Sequence, residues 1–172
     1  MKKLNLAVIF GGASPEHDIS LLSACNLIHD LNKEKYNIYK LGITKNGKWL
    51  MYEGDAASIA DGSWEDGDTT PAFISPDASH GGIIAEKEGA FQVIKIDVIY
   101  VIIHGETGED GTIQGLAGLA GIPCAGADRL SSAVCMDKDF AKTILKHHNI
   151  SQLDWLALKG GVTEDNIQKI EN

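Results

Sequence analysis

The sequence predicts an α/β fold, an open and mainly parallel sheet flanked by helices, and three features predict it. Two short runs, Leu4–Phe10 (LNLAVIF) and Asp97–Ile103 (DVIYVII), are almost wholly apolar and rich in β-branched residues, as strands buried on both faces of a parallel sheet must be. Each run stops at glycines, Gly11-Gly12 after the first and Gly105, Gly108 and Gly111 after the second. Each stop is followed by residues suited to a helix, 16–31 and 112–120. Strand, glycine loop, helix, given twice, is the repeating unit of an open α/β sheet, and such sheets bind ligands beyond the carboxyl ends of their strands.

Taken in order, the first strand exits through Gly11-Gly12-Ala13-Ser14-Pro15. Ile19, Leu22, Leu27, Ile28 and Leu31 then recur close to helical periodicity. Pro15 suits a first helical turn, and Ser14 before it suits a cap. The dinucleotide fingerprint GxGxxG is absent, since the next glycine after Gly12 is Gly42. Tyr36–Thr44 alternates as a strand, Asn46-Gly47 marks a hairpin, and KWLMY returns. Ala56–Ala60 suits a short helix. The polar stretch Asp61–Gly82 is expected to be irregular or mobile, within an insertion over about residues 54–96. Ile83–Ala85 and Ala90–Ile96 read as a second hairpin, and Trp49 and Trp64 as packing residues. Beyond the second glycine loop, Gly121-Ile122-Pro123-Cys124 reads as a helix stop and a very short strand. Arg129–Met136 and Asp137–His147 read as helices, Leu153–Leu158 as a strand, and Thr163–Ile170 as a helix capped by Thr163.

Composition bounds the function. A chain of 172 residues buries one core, removing about 70% of its unfolded surface. The net charge of −9, with Arg129 the single arginine among fifteen basic residues, argues against nucleic-acid binding. Cys25, Cys124 and Cys135 show no paired ligand spacing and read as reduced packing residues of a cytoplasmic protein. No apolar run approaches the roughly 20 residues of a membrane-spanning helix, and the amino terminus does not read as a signal peptide.

The chemistry concentrates in HGETGED, where His104 shares a turn with Glu106, Glu109 and Asp110. The carboxylates either complement the positive end of the following helix, worth roughly 0.3–1 kcal/mol each, or face a ligand. A titratable ring at the end of a buried strand is well placed for a ligand. Glu16, in the first turn of the other helix, allows the same two readings. As function, Glu16 and His104 would come from two strand ends and converge on one crevice. A metal site built on His104, Glu106, Glu109 and Asp110 has no second ligand motif to support it, so no metal is expected in this chain. Lys138, early in its helix, reads as an ordinary solvated lysine, and His147 and His148 complement a helix end.

HGETGEDGTIQG matches at every fixed position the first signature of the D-alanine–D-alanine ligase family. VIFGGASPEHDISLLSA resembles that family's first strand, glycine loop and helix, and SSAVCMDKDFAK resembles the segment leading into its ATP-binding part. The resemblance spans roughly Leu4–Ile150. It implies a Rossmann-like, pre-ATP-grasp amino-terminal domain over residues 1–134, with residues 135–172 opening the central ATP-grasp domain. It implies an ATP- and magnesium-dependent ligase that phosphorylates the carboxylate of one D-alanine and lets the amine of a second D-amino acid attack the acyl phosphate, for peptidoglycan. On matching positions, Glu16 would bind the ammonium of the first D-alanine with Ser20 behind it, and His104 would orient the same substrate. Lys138 would reach an ATP phosphate.

The family includes housekeeping enzymes and vancomycin-resistance ligases for D-serine or D-lactate, and the hairpin at GITKNGKW together with the 54–96 insertion resembles the D-serine type more. Members commonly form homodimers through this domain. The chain is therefore expected to be the inactive amino-terminal part of a ligase, holding no cofactor by itself. The rival expectation is a standalone, non-catalytic α/β module that binds a small ligand.

Overall fold

The structure, a computed structural model, describes residues 2–158 and Ile167. Two compact units divide it, Met1–Ala133 and Val134–Asn172.

In the first unit β1 (Leu4–Gly11) leads through α1 (His17–Asp30) to β2 (Tyr36–Ile43), which pairs parallel with β1. The Asn46-Gly47 turn returns the chain as β3 (Trp49–Tyr52), antiparallel to β2. After α2 (Ala56–Ala60) and a 3-10 turn (Ser63–Asp66) come β4 (Thr69–Ile74), β5 (Gly82–Lys87) and β6 (Ala90–Lys95), each antiparallel to its predecessor. β7 (Val98–Val101) then lies parallel to β1 on its free side, and after α3 (Thr112–Leu119) β8 (Cys124–Ala125) lies parallel to β7. The order is β6-β5-β4-β3-β2-β1-β7-β8. The open α/β sheet stands as expected. Its parallel half is β2-β1-β7-β8, and the residue 49–95 strands extend it antiparallel.

Two cores form on the two faces because β1 is central. Ala7 and Ile9 point to one face with Leu41, Ile99 and the α3 residues Ile113 and Ala117. Leu6, Val8 and Phe10 point to the other with Leu21, Ala24 and Ile28 of α1, Ile59 and Trp64. A strand buried on both faces has no polar side to alternate with, which is why LNLAVIF is a near-continuous apolar run.

Four expectations are corrected. Asp61–Gly82 is ordered in large part: it holds the 3-10 turn with fully buried Trp64, and β4, whose Ala72 and Ile74 are buried. β7 ends at Val101, short of the seven-residue strand expected. Ser14 is no helix cap; Glu16 holds that position and makes no side-chain capping bond. Leu153–Leu158 joins no sheet among the described residues.

The second unit holds the end of α4 (Arg129–Met136), from Val134 on, and all of α5 (Lys138–His147). The Asp137 side chain caps α5, accepting from the amides of Asp139 and Phe140. Residues 151–158 are recruited by α5 instead of a strand: Trp155 Nε1 donates to Asp139 Oδ1 at 2.8 Å, and Lys142 Nζ lies 5.3 Å from the Trp155 ring. Cys135 is exposed, so it is no packing residue, while Cys25 and Cys124 are half-buried; all three are free thiols. The predicted 163–170 helix lies outside the described residues apart from Ile167.

Candidate functional site

The chain leaves β1 toward β2 on one side and later returns as β7 on the other, so the strand order reverses between β1 and β7. Ligand crevices of open α/β sheets lie at this switch point, beyond the carboxyl ends of the two strands. The loops after β1 and β7 meet there.

Glycine makes the first loop possible. Gly11 has φ +83°, and a methyl group on it would lie 2.2 Å from the Ile43 carbonyl oxygen, so only glycine fits. The amide of Gly11 donates to Ser20 Oγ at 2.8 Å, and Ser20 Oγ donates to the Ile102 carbonyl at 2.7 Å. Ser20 is fully buried. Its hydroxyl, expected among the substrate-binding residues, is engaged by two backbone groups, one at each strand end. His17 is buried as well, its Nδ1 donating to the Gly12 carbonyl at 2.8 Å; a carbonyl only accepts, which sets that tautomer.

At the surface of the crevice, Ser14 accepts from the Glu16 amide at 3.1 Å and donates to the His104 carbonyl at 3.0 Å. The two loops are thereby tied across 90 residues. A methyl on Gly105 would lie 3.4 Å from Glu16 Oε2, so the exposed Glu16 carboxylate lies against the backbone next to His104. The His104 ring is half-buried, with Ser23 Oγ 3.0 Å from Nε2 and Glu109 Oε1 3.7 Å from Nδ1. The second oxygen of Glu109 accepts the Gly105 amide at 3.2 Å. Asp110 is a local turn residue. Burial pushes its carboxyl up, but hydrogen bonds from Thr112, with those from Thr107 and its own backbone, outweigh this and hold it below the ordinary carboxylate range.

Glu16 and His104 are thus brought together. Lys138 lies in the second unit, exposed, with Nζ donating to the Cys135 carbonyl at 3.2 Å. Among the described residues no three His, Cys, Asp or Glu side chains converge to hold a metal ion. Ser14 and Ser23 were missed as site residues, while Glu109, weighed only as one of the turn's three carboxylates, lies beside the His104 ring. The serines bond across 81 and 90 residues, and no local pattern encodes such partners.

Thr107 stores strain in the second loop. It is a β-branched residue at φ +70°, where L-residues are disfavoured by roughly 1–2 kcal/mol. Thr107→Asn, which tolerates this conformation, is expected to raise stability by roughly 0.5–1 kcal/mol in urea unfolding. An unchanged midpoint would show that the loop does not strain this residue.

The fold and the meeting of the two loops define the class: an α/β domain with a carboxylate and an imidazole side by side at the sheet's switch point. Residues 5–127 match the family described as the D-ala D-ala ligase N-terminus. The chain belongs to the D-alanine–D-alanine ligase family. It is 45% identical over 165 residues to the D-alanine–D-alanine ligase of Thermoanaerobacter sp. (strain X514), covering 96% of this chain and 46% of that protein. It is 40% identical to the vancomycin B-type resistance protein VanB of Enterococcus faecalis, covering 94% and 45% respectively. Among solved structures, the VanG D-Ala:D-Ser ligase of Enterococcus faecalis superposes with a TM-score of 0.87 at 37% identity, over 99% of this chain and 49% of that one. The chain thus spans about half the length of the relatives it matches.

Proposed function

We propose that this chain is the part of an ATP-dependent D-alanine–D-X ligase that holds the first D-alanine, with residues 1–134 as the substrate-binding domain and 135–172 as the start of the ATP-binding region. The observation that carries the reading is the meeting of the Glu16 carboxylate with the His104 loop, locked by the Ser14–His104 hydrogen bond. A carboxylate pairs with the ammonium of an amino acid, and the adjacent imidazole fixes the remainder of so small a ligand. Ser20 serves by holding the loop that presents Glu16.

Lys138, an exposed cation, suits an ATP phosphate. In the complete ligase ATP supplies the phosphoryl group that activates the D-alanine carboxylate. The complete ligase we place in the cytoplasm, as a homodimer, making the D-alanyl dipeptide precursor of peptidoglycan. The chain alone is expected to turn over no ATP.

Amide NMR of the chain during titration with D-alanine tests the pocket. Shifts centred on Glu16, His104 and Gly105 are expected in the millimolar range, and Glu16→Ala should weaken binding about 10- to 100-fold, the worth of a hydrogen bond to a charged group. Shifts centred elsewhere, or binding indifferent to Glu16, would remove the assignment.

A further inference from the structure

Both nitrogens of His104 face groups that come from different parts of the chain. Ser23, in the second turn of α1, reaches Nε2 at 3.0 Å, and Glu109, in the loop beyond β7, faces Nδ1 at 3.7 Å. Neither contact is incidental to its own element. A helical serine ordinarily turns its hydroxyl back onto the carbonyl four residues earlier, whereas the Ser23 hydroxyl crosses to a residue 81 positions on. Glu109 is anchored from behind, since its other oxygen accepts the Gly105 amide.

The donor inventory of these three groups decides the ring's state. A carboxylate only accepts, so a bare Nδ1 lone pair turned toward Glu109 would be repelled, and the ring must present an N–H there. In the neutral imidazole that leaves Nε2 bare, and a hydroxyl is the group able to donate to it. We propose that Ser23 and Glu109 are positioning residues for His104: Glu109 sets the neutral ring as the Nδ1–H tautomer, and the Ser23 hydroxyl holds the ring at Nε2. The carboxylates of the crevice are then Glu109, beside the ring, and Glu16, beside Gly105. If the ring takes a second proton, the hydroxyl rotates and accepts from Nε2–H, so the imidazole keeps one orientation in both charge states. This rests on the reading of the crevice as the D-alanine pocket only for its consequence, a ring preset beside Glu16; the tautomer itself is a property of the unliganded chain.

Two-bond ¹H–¹⁵N spectra of the chain labelled at histidine read the tautomer directly. His104 is expected as Nδ1–H. Glu109→Ala should move it toward Nε2–H, the form free histidine side chains favour, whereas Ser23→Ala, with Glu109 still facing Nδ1, should keep Nδ1–H while shifting the Nε2 resonance, and Ser23→Thr should restore that shift. A His104 that is Nε2–H in the unaltered chain, a tautomer unmoved in Glu109→Ala, or an Nε2 resonance unmoved in Ser23→Ala, overturns the proposal. D-Alanine affinity followed in parallel should fall about fivefold in Ser23→Ala, the worth of one neutral hydrogen bond. If His104→Ala leaves that affinity unchanged, the pocket reading fails while the tautomer result stands, so the two failures are told apart.

Discussion

Trp64→Ala is expected to destabilise the first unit by about 3–5 kcal/mol, the range for removing a large aromatic from a core. Trp64 is fully buried. Its ring packs edge-on to Phe10, with centroids 5.0 Å apart, and to Tyr52 at 6.3 Å. It lies directly on the backbone of β2: a methyl group on Gly42 would be 2.3 Å from the indole. Removing the indole therefore opens a cavity whose floor is a glycine in a paired strand, with no side chain there to collapse into it. Trp64→Phe should lose much less, because it keeps most of the apolar contact and deletes an indole N–H that has no partner among the described residues. Urea unfolding followed by circular dichroism measures both. A loss below about 1 kcal/mol for the alanine variant would mean that the 3-10 turn carrying Trp64 is not part of this core.

Trp64 also shows where the sequence stops speaking. Its neighbours are Gly62, Ser63, Glu65, Asp66 and Gly67, all turn formers, and β4 contains Pro71 with only Ala72 and Ile74 buried. Local propensity there says loop, and what orders the segment is non-local: an indole seated on Gly42 and a strand paired on both sides. β1 was legible for the opposite reason. Both of its faces are core, so its burial is written into every position from Leu6 to Gly11. In the crevice the same contrast holds. Glu16 and His104 stood out because a charged and a titratable residue follow the ends of apolar strands, and the family signature runs through His104. Ser14 and Ser23 carry no such mark, since a serine hydroxyl looks the same in sequence whether it meets solvent or a distant backbone. Ser20 was found through its neighbours, and only the fold revealed that its hydroxyl is buried on two backbone groups.

Ser20 and Ser23 sit one helical turn apart on α1, and their alanine variants should behave oppositely. Ser20→Ala strands two backbone groups at once, the Gly11 amide and the Ile102 carbonyl. Each buried orphan costs about 1–3 kcal/mol, so a loss of about 2–4 kcal/mol is expected after partial relaxation. The damage does not stay local. Gly11 opens the loop that presents Glu16, and Ile102 lies two residues before His104, so the serine joins the two strand ends at the switch point. D-Alanine binding should weaken along with stability. Ser23→Ala, by contrast, removes a half-exposed hydroxyl whose only described partner is the His104 ring. Stability should change by no more than about 0.5 kcal/mol while the His104 Nε2 resonance shifts. Urea unfolding of the two variants beside the histidine spectra separates a serine that holds the backbone from one that sets a side chain. Equal stability losses in both would mean that the crevice and the core behind it melt as one unit, and the division of labour between the two hydroxyls would fall.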